Sequence, residues 1–238
     1  PYSEYVKWLE EQDYKLALDY WENMLKDYDE VAKIPTNNRN TLDNNDVVKA
    51  VTLSIGTEIT NDLKDISKRI GVTINTYIET AWGLLLQKFV GTNDVVFGKT
   101  VSGRSANITG IENMIGLFIN TIPIRVCIDN NITINKLLKK VQEQALESSQ
   151  YDYSSLADIQ SRSAVGKDLI KSLYVFENYY LDDEIGKDID EVCIEVTNIH
   201  EQTDYGLSLN AKCNDTLELR LVYMSSEYSA SQVELLGE

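Results

Sequence analysis

Histidine is almost missing from this chain of 238 residues: there is one, His200. Sites built on two imidazoles are thereby excluded, and a Cys/His zinc site would need distant cysteines to converge. Cysteine is as scarce, with Cys127, Cys193 and Cys213 far apart and no C-x-x-C pair. That usage predicts reduced, mostly buried thiols in a cytoplasmic protein, and no disulfide framework. No apolar run approaches the ~20 residues a membrane span requires. The G-x-x-x-x-G-K-[ST], G-x-G-x-x-G and G-x-S-x-G patterns are all absent, which argues against self-sufficient nucleotide or serine-hydrolase chemistry. Positive charge is in deficit: 22 Lys and Arg face 38 Asp and Glu, a net charge of −16. A broad electrostatic grip on nucleic acid or anionic lipid is therefore not expected. The opening Pro-Tyr-Ser-Glu-Tyr does not read as a signal or transit peptide. It also lacks an initiator Met, and the chain is read as a piece of something longer.

What is present is globular in kind. Hydrophobic residues make up 43% and charged residues 25%, ordinary values for a packed domain of this length. Tyr5, Trp8 and Leu9, then Leu18, Trp21 and Leu25, recur at helical spacing and predict two short helices. A Pro/Asn-rich linker from Ile34 to Asn45 is the best internal break. Residues 47–55 read as a strand. A helix follows with Thr57 as its cap, Ile59, Leu63, Ile66 and Ile70 as its apolar face, and Gly71 as its stop. The next, from Thr73 to Gly91, is apolar nearly all round, with Ala81 among its apolar residues, and should be largely buried. Strands are predicted over 94–100 and 121–128, with Pro123 on an edge or bulge. Between them lies a Gly/Ser/Asn-rich connection, 101–120, long enough to suggest a function. A helix capped by Thr133 carries the stripe Leu137, Leu138, Val141, Ala145. Four further strands are expected at 172–179, 192–199, 205–212 and 216–223, the last two joined as a hairpin around Asn214-Asp215. No internal repeat is evident. The pattern predicts an α/β fold, a mixed sheet with helices packed against one face.

Four segments, in order, resemble the C-terminal half of the condensation domain of non-ribosomal peptide synthetases. Tyr2-Ser3-Glu4-Tyr5-Val6-Lys7-Trp8 is similar to that family's Y-x-D-[FY]-x-x-W helix, with Glu4 in place of Asp. Val101-Ser102-Gly103-Arg104 matches its V-S-G-R. Residues 115–125, Ile-Gly-Leu-Phe-Ile-Asn-Thr-Ile-Pro-Ile-Arg, match [IV]-G-x-F-[IV]-N-T-x-P-x-R, the most specific of the four. Ser172–Tyr179 resembles a late strand ending in [QE]-N. The family's His-His-x-x-x-Asp-Gly motif lies upstream of the Tyr-x-Asp helix and has no counterpart here. The resemblance thus implies one lobe, residues 1–238, of a two-lobed domain with the CoA-dependent (chloramphenicol acetyltransferase-like) acyltransferase fold.

The same resemblance implies the chemistry. An amine on one carrier protein's phosphopantetheine arm attacks a thioester on another, in a tunnel between the lobes. No cofactor is bound directly, and the catalytic histidine belongs to the other lobe. Arg104 is the candidate to hold the Asp of that motif, a task suited to a permanently charged, two-pronged donor; on its residue type alone it is a solvated loop arginine. Ser102, Gly103 and Gly116 fall in a connection implied to pass beneath the tunnel. Asn120 and Asn178 are candidates near the substrates, each also readable as a structural amide. Arg125 reads as solvent-facing, His200 as a surface residue, and Tyr151-Asp152-Tyr153 carries no assigned role. The runs Asp182–Glu184 and Asp188–Glu191 read as solvated loop charge. The implied partners are the N-terminal lobe, donor and acceptor carrier proteins and an adjacent adenylation domain, with no nucleic acid and no membrane. Two rival readings stand beside this one: a non-catalytic module that docks carrier proteins, and an acyltransferase-fold enzyme using another acceptor, such as an alcohol. An epimerase relative is disfavoured by the V-S-G-R and G-L-F-I-N-T segments.

Overall fold

A computed structural model describes residues 1–36, 47–129, 131–177 and 203–238. Helices α1 (Tyr2–Glu10) and α2 (Tyr14–Met24) lead the chain; the Asp13 carboxylate caps α2 by accepting the Leu16 amide at 3.0 Å. Strand β1 (Val48–Ile55) runs into α3 (Thr57–Ile70), and α4 (Ile74–Val90) follows. Then come β2 (Asp94–Val101), β3 (Asn120–Cys127), α5 (Ile134–Ser148), α6 (Leu156–Ser161), β4 (Ser172–Glu177), β5 (Leu207–Cys213), β6 (Leu217–Met224) and α7 (Ala230–Gly237).

The six strands form one mixed sheet in the order β1-β6-β5-β4-β2-β3. β4 is parallel to both β2 and β5, and the remaining pairs are antiparallel. The β5–β6 hairpin closes with Cys213 opposite Leu217, around the Asn214-Asp215 turn. Pro123 lies on the edge strand β3, as its missing N–H requires. That edge is covered by α5: the Gln144 side chain accepts the Arg125 amide at 3.0 Å and donates to the Arg125 carbonyl at 3.1 Å. A strand edge tied to a side-chain amide offers no template to another strand. No helix among the described residues is long and apolar enough to cross a membrane.

Helices lie on both faces of the sheet, not on one as the pattern predicted. The α4 backbone at Gly83 comes up against Val126. The next-door side chain of Arg125 points to the opposite face and reaches the end of α2, donating to the carbonyls of Met24 at 2.9 Å and Lys26 at 2.7 Å. Trp21, Tyr28 and Ile34 belong to the main core with Trp82, Leu86 and Phe97. The segment before the linker is therefore built into the sheet's own core.

Three local expectations need correction. The cap of α3 is Gly56, with Thr57 inside the helix. The buried hydroxyl of Thr60 lies 3.1 and 3.0 Å from the Ile55 and Gly56 carbonyls and accepts the Leu217 amide at 3.0 Å. These bonds turn α3 so that Thr60 and Ser67 face inward, while Ile59 is 58% exposed. Thr133 stands at the N-cap of α5 without making a side-chain cap bond. Thr73 does cap α4, accepting the Thr76 amide at 3.0 Å, and α4 is largely buried although Ala81 is exposed. The predicted strand at 192–199 and the acidic runs at 182–184 and 188–191 lie outside the described residues.

Arg125 is not solvent-facing. Its guanidinium grips Asp94 at 2.6 to 3.1 Å through two nitrogens while donating to the α2 carbonyls, and its side chain is 17% exposed. The Asp94 hydrogen bonds raise its pKa, outweighing burial. Removing it strands a carboxylate and two carbonyls. Arg125→Ala is expected to lower stability by about 2–3 kcal/mol, read as a lower urea midpoint. Arg125→Lys should recover only part, because an ammonium cannot serve both directions with one planar fork.

Candidate functional site

The motifs that lie apart in sequence meet around residues 102–119. Val101 and Asn120 are partners across β2 and β3, so this stretch is a loop closed at its base. Two glycines set its path. Gly103 has φ +65°, and a Cβ there would stand 1.7 Å from the Phe118 carbonyl oxygen; the outgoing and returning arms of the loop touch at that point. At Gly116 a Cβ would fall 2.1 Å from the ring of Tyr2, whose hydroxyl donates to the Leu117 carbonyl at 2.6 Å.

Helix α1 is thereby the clamp of the loop. Tyr5, Ala106, Ile111 and Phe118 form a small buried cluster separate from the main core, with Tyr2, Trp8 and Leu9 packed on it. The Tyr5 ring sits 4.7 Å from that of Phe118, and Tyr2 meets Phe118 edge-on at 5.1 Å, distances typical of favourable aromatic pairs. Burial, reinforced by Asp152, raises the Tyr5 hydroxyl.

Arg104 is held inside the loop. Its guanidinium lies 4.1 Å from the Phe118 ring centroid and donates to the carbonyls of Ile111 and of Met114, the latter at 3.0 Å. It forms no ion pair among the described residues. Asn120 spans the loop's base: its amide donates to the carbonyls of Asp152 and Ser154 at 2.7 Å each, and its oxygen accepts the Thr121 amide at 2.9 Å. This is the structural amide. Ser102 is exposed at the loop's start, and its hydroxyl accepts the Arg104 amide at 3.4 Å. Asn178 and His200 lie outside the described residues.

Beside the loop's first residues opens a cavity of about 430 Å³. Its lining includes Asn75 at the start of α4, Lys99, Thr100, Ser102, Asp152 and Phe176. Lys99 is tied to Glu79 at 2.5 Å. Glu79 is fully buried, and its second oxygen has no partner; burial raises its pKa more than Lys99 lowers it. The Tyr174 hydroxyl, pushed up by burial, donates to the Asn75 side chain at 2.8 Å.

Asp152 is the residue that motif reasoning passed over. It is 6% exposed, and one carboxylate oxygen accepts the Ser105 hydroxyl at 2.7 Å. Burial pushes its pKa up, and Ser105 alone pulls the other way. Its Tyr-Asp-Tyr run directly after α5 sits, by resemblance, where the family has H-Q-D-[YV]-P, but the His and Pro are absent and no role carried over. The described residues of the cavity thus offer carboxylate, ammonium, hydroxyl and amide groups, and no imidazole. They can bind and orient a polar group.

Two outcomes follow from this geometry. Gly103→Ala should destabilise the protein more than Gly116→Ala, because a fixed backbone carbonyl blocks the first and a side chain that can turn away blocks the second; thermal melts of the pair read the order. Asp152→Asn should be as stable as the parent or more so at pH 7. A carboxyl whose pKa is raised on folding carries a penalty that is full above the folded pKa and vanishes below the unfolded one, ordinarily 3.8. The advantage of Asp152→Asn should therefore fade as pH falls towards that value, in urea titrations across the acid range.

Comparison with known proteins supplies the family. The condensation domain model matches residues 1–237. Bacitracin synthase 3 of Bacillus licheniformis is 40% identical over 238 residues, covering 99% of this chain and 4% of that protein. Gramicidin S synthase 2 of Brevibacillus brevis is 35% identical over 234 residues, covering 96% of this chain and 5% of that protein. The chain therefore spans less than a tenth of these relatives. Among solved structures, the condensation domain of the Monacolin K polyketide synthase MokA superposes with a TM-score of 0.75 at 16% identity, covering 98% of this chain and 57% of that one. A four-domain nonribosomal peptide synthetase bound to AMP and glycine gives 0.77 at 19% identity, covering 95% of this chain and 19% of that one. These neighbours share the mixed sheet with flanking helices, the CoA-acyltransferase-like fold. With a match that runs almost end to end, the chain belongs to the condensation domain family.

Proposed function

We propose that this chain is the C-terminal lobe of a condensation domain that forms amide bonds between carrier-tethered aminoacyl and peptidyl thioesters, and that a second lobe completes its reaction chamber. The observation that carries this reading is a ridge on the most specific motif. Ile115, Leu117 and Ile119 are 95%, 77% and 55% exposed, while Phe118 between them is buried. Three alternate apolar residues turned to water on a clamped loop are the mark of a surface shaped for a partner. The coverage of 57% of the solved MokA domain fits the same reading.

In this proposal the loop forms the floor where the lobes meet, with Ser102, Gly103 and Gly116 setting its course and Asn120 fixing its base. Arg104, already oriented by two carbonyls and a ring, turns its remaining donors to the Asp of the partner lobe's His-His-x-x-x-Asp-Gly motif. That motif's histidine handles the proton. The reaction joins the acceptor nitrogen to the donor acyl carbon, breaks the carbon–sulfur bond, and returns the amine's proton to the departing thiol. Holding two phosphopantetheine arms in line is the larger part of the task. Asn178 is placed near the substrates by resemblance alone. Donor and acceptor carrier proteins and an adjacent adenylation domain are the partners, and no cofactor is resident.

The test is reconstitution. The chain alone, given two loaded carriers, should yield no peptide product by mass spectrometry; product from it alone would end the two-lobe account. In the complete domain, Arg104→Ala should cut condensation by about tenfold or more while the domain stays folded, since a charge-assisted pair is worth roughly 1.5–3 kcal/mol. Unchanged turnover would return Arg104 to a purely structural part of its loop.

A further inference from the structure

Helix α1 is joined to the protein through the 102–119 loop and through little else. Tyr5, Ala106, Ile111 and Phe118 make a buried cluster of their own, and no residue of α1 belongs to the main core. Among the described residues, α1 sends one side-chain hydrogen bond to another element, from the Tyr2 hydroxyl to the Leu117 carbonyl at 2.6 Å. Its one described ring contact beyond the loop is Trp8 against Tyr153, with 5.4 Å between centroids. The loop is equally dependent on the helix. Its own backbone bonds are short turns: the amides of Ile108, Ile111, Asn113 and Met114 donate two or three residues back. Above its base, the described side-chain tie to the rest of the protein is the Ser105 hydroxyl on Asp152 at 2.7 Å. Three of the four buried residues in the cluster come from the loop and the fourth from α1. Without the helix the loop has nothing to pack on. Without the loop, α1 is a nine-residue helix, too short to persist in water by itself.

We propose that α1 and the 102–119 loop are a single two-state element, which opens and closes as a unit while the six-stranded sheet stays folded. Its hinges are the turn at residues 11–13 and the Val101–Asn120 base. Asp13 anchors the first by capping α2, and Asn120 anchors the second on the carbonyls of Asp152 and Ser154. In the closed state the rings of Tyr2 and Tyr5 hold Phe118, and the Phe118 ring holds the Arg104 guanidinium. Leu117 and Ile119 are then turned to solvent. In the open state Arg104 loses its ring and the ridge loses its alternation. A partner seated on the ridge therefore selects the closed state, and by linkage it tightens α1 as well. That consequence rests on the two-lobe reading; the shared opening does not.

The experiment is native-state hydrogen exchange on this chain, in low urea, resolved by segment. The hydrogen-bonded amides of α1 and those of Ile108, Ile111, Asn113 and Met114 should converge on one opening, about a hundredfold or more easier than that of the β5–β6 amides. Two substitutions test the coupling from opposite ends. Tyr2→Phe removes the hydroxyl bond to Leu117, and Gly116→Ala puts a Cβ 2.1 Å from the Tyr2 ring. Each should speed exchange in both segments by the same factor, about fivefold for Tyr2→Phe, and leave β5–β6 unchanged. Openings that stay distinct overturn the proposal. So does a substitution felt only in its own segment, or exchange of both segments as slow as that of β5–β6. In the complete condensation domain both segments should slow together; slowing of the loop while α1 keeps its rate also overturns the unit. Slowing of neither, with the common opening intact in this chain, removes the two-lobe reading and upholds the unit.

Discussion

At one point in this protein two backbone arms touch with no space for a single carbon. Gly103 and the Phe118 carbonyl are that point, with 1.7 Å left between the oxygen and a would-be Cβ. Everything around the site depends on this contact. It folds the 102–119 loop back on itself, which brings Phe118 under Arg104 and against Tyr2 and Tyr5. Burying Phe118 turns its neighbours Leu117 and Ile119 outward by simple alternation of an extended chain. The apolar ridge is thus the other side of the same contact that builds the small core.

Three carboxylates near the sheet show how charge is managed in a strongly acidic chain. Asp94 meets a two-pronged arginine and joins strand to helix. Glu79 is fully buried and holds a lysine at the cavity wall. Asp152 meets a hydroxyl and, among the described residues, no cation. The first two ion pairs organise the interior; the third group ties the segment after α5 to the loop through Ser105.

Much of the architecture was legible because local signals agreed with tertiary demands. Thr73, Gly71 and Gly91 ended helices where their chemistry prescribes, and the β-branched runs became strands. Helix α3 was misread in rotation because a buried threonine hydroxyl, bonded to three backbone groups, outweighed the pull of Ile59. Arg125 was misread because its partners, Asp94 and the carbonyls at 24 and 26, are 31 and about a hundred residues away. Periodicity reports which side of a strand a residue occupies, and not what waits there.

Composition and pattern by themselves determined the α/β class, the absence of paired imidazoles and the family, through a run of eleven residues whose glycine, asparagine, proline and arginine each meet a backbone or hydrogen-bond constraint. Only the tertiary structure decided that α1 clamps the loop, that Arg104 points inward over a ring, and that Asp152 is buried against the Ser105 hydroxyl. Those facts arise from contacts between segments as far apart as Tyr2 and Leu117. Local sequence specifies dihedral preference and polarity, whereas the electrostatic surroundings of a side chain exist only once distant backbone has closed around it.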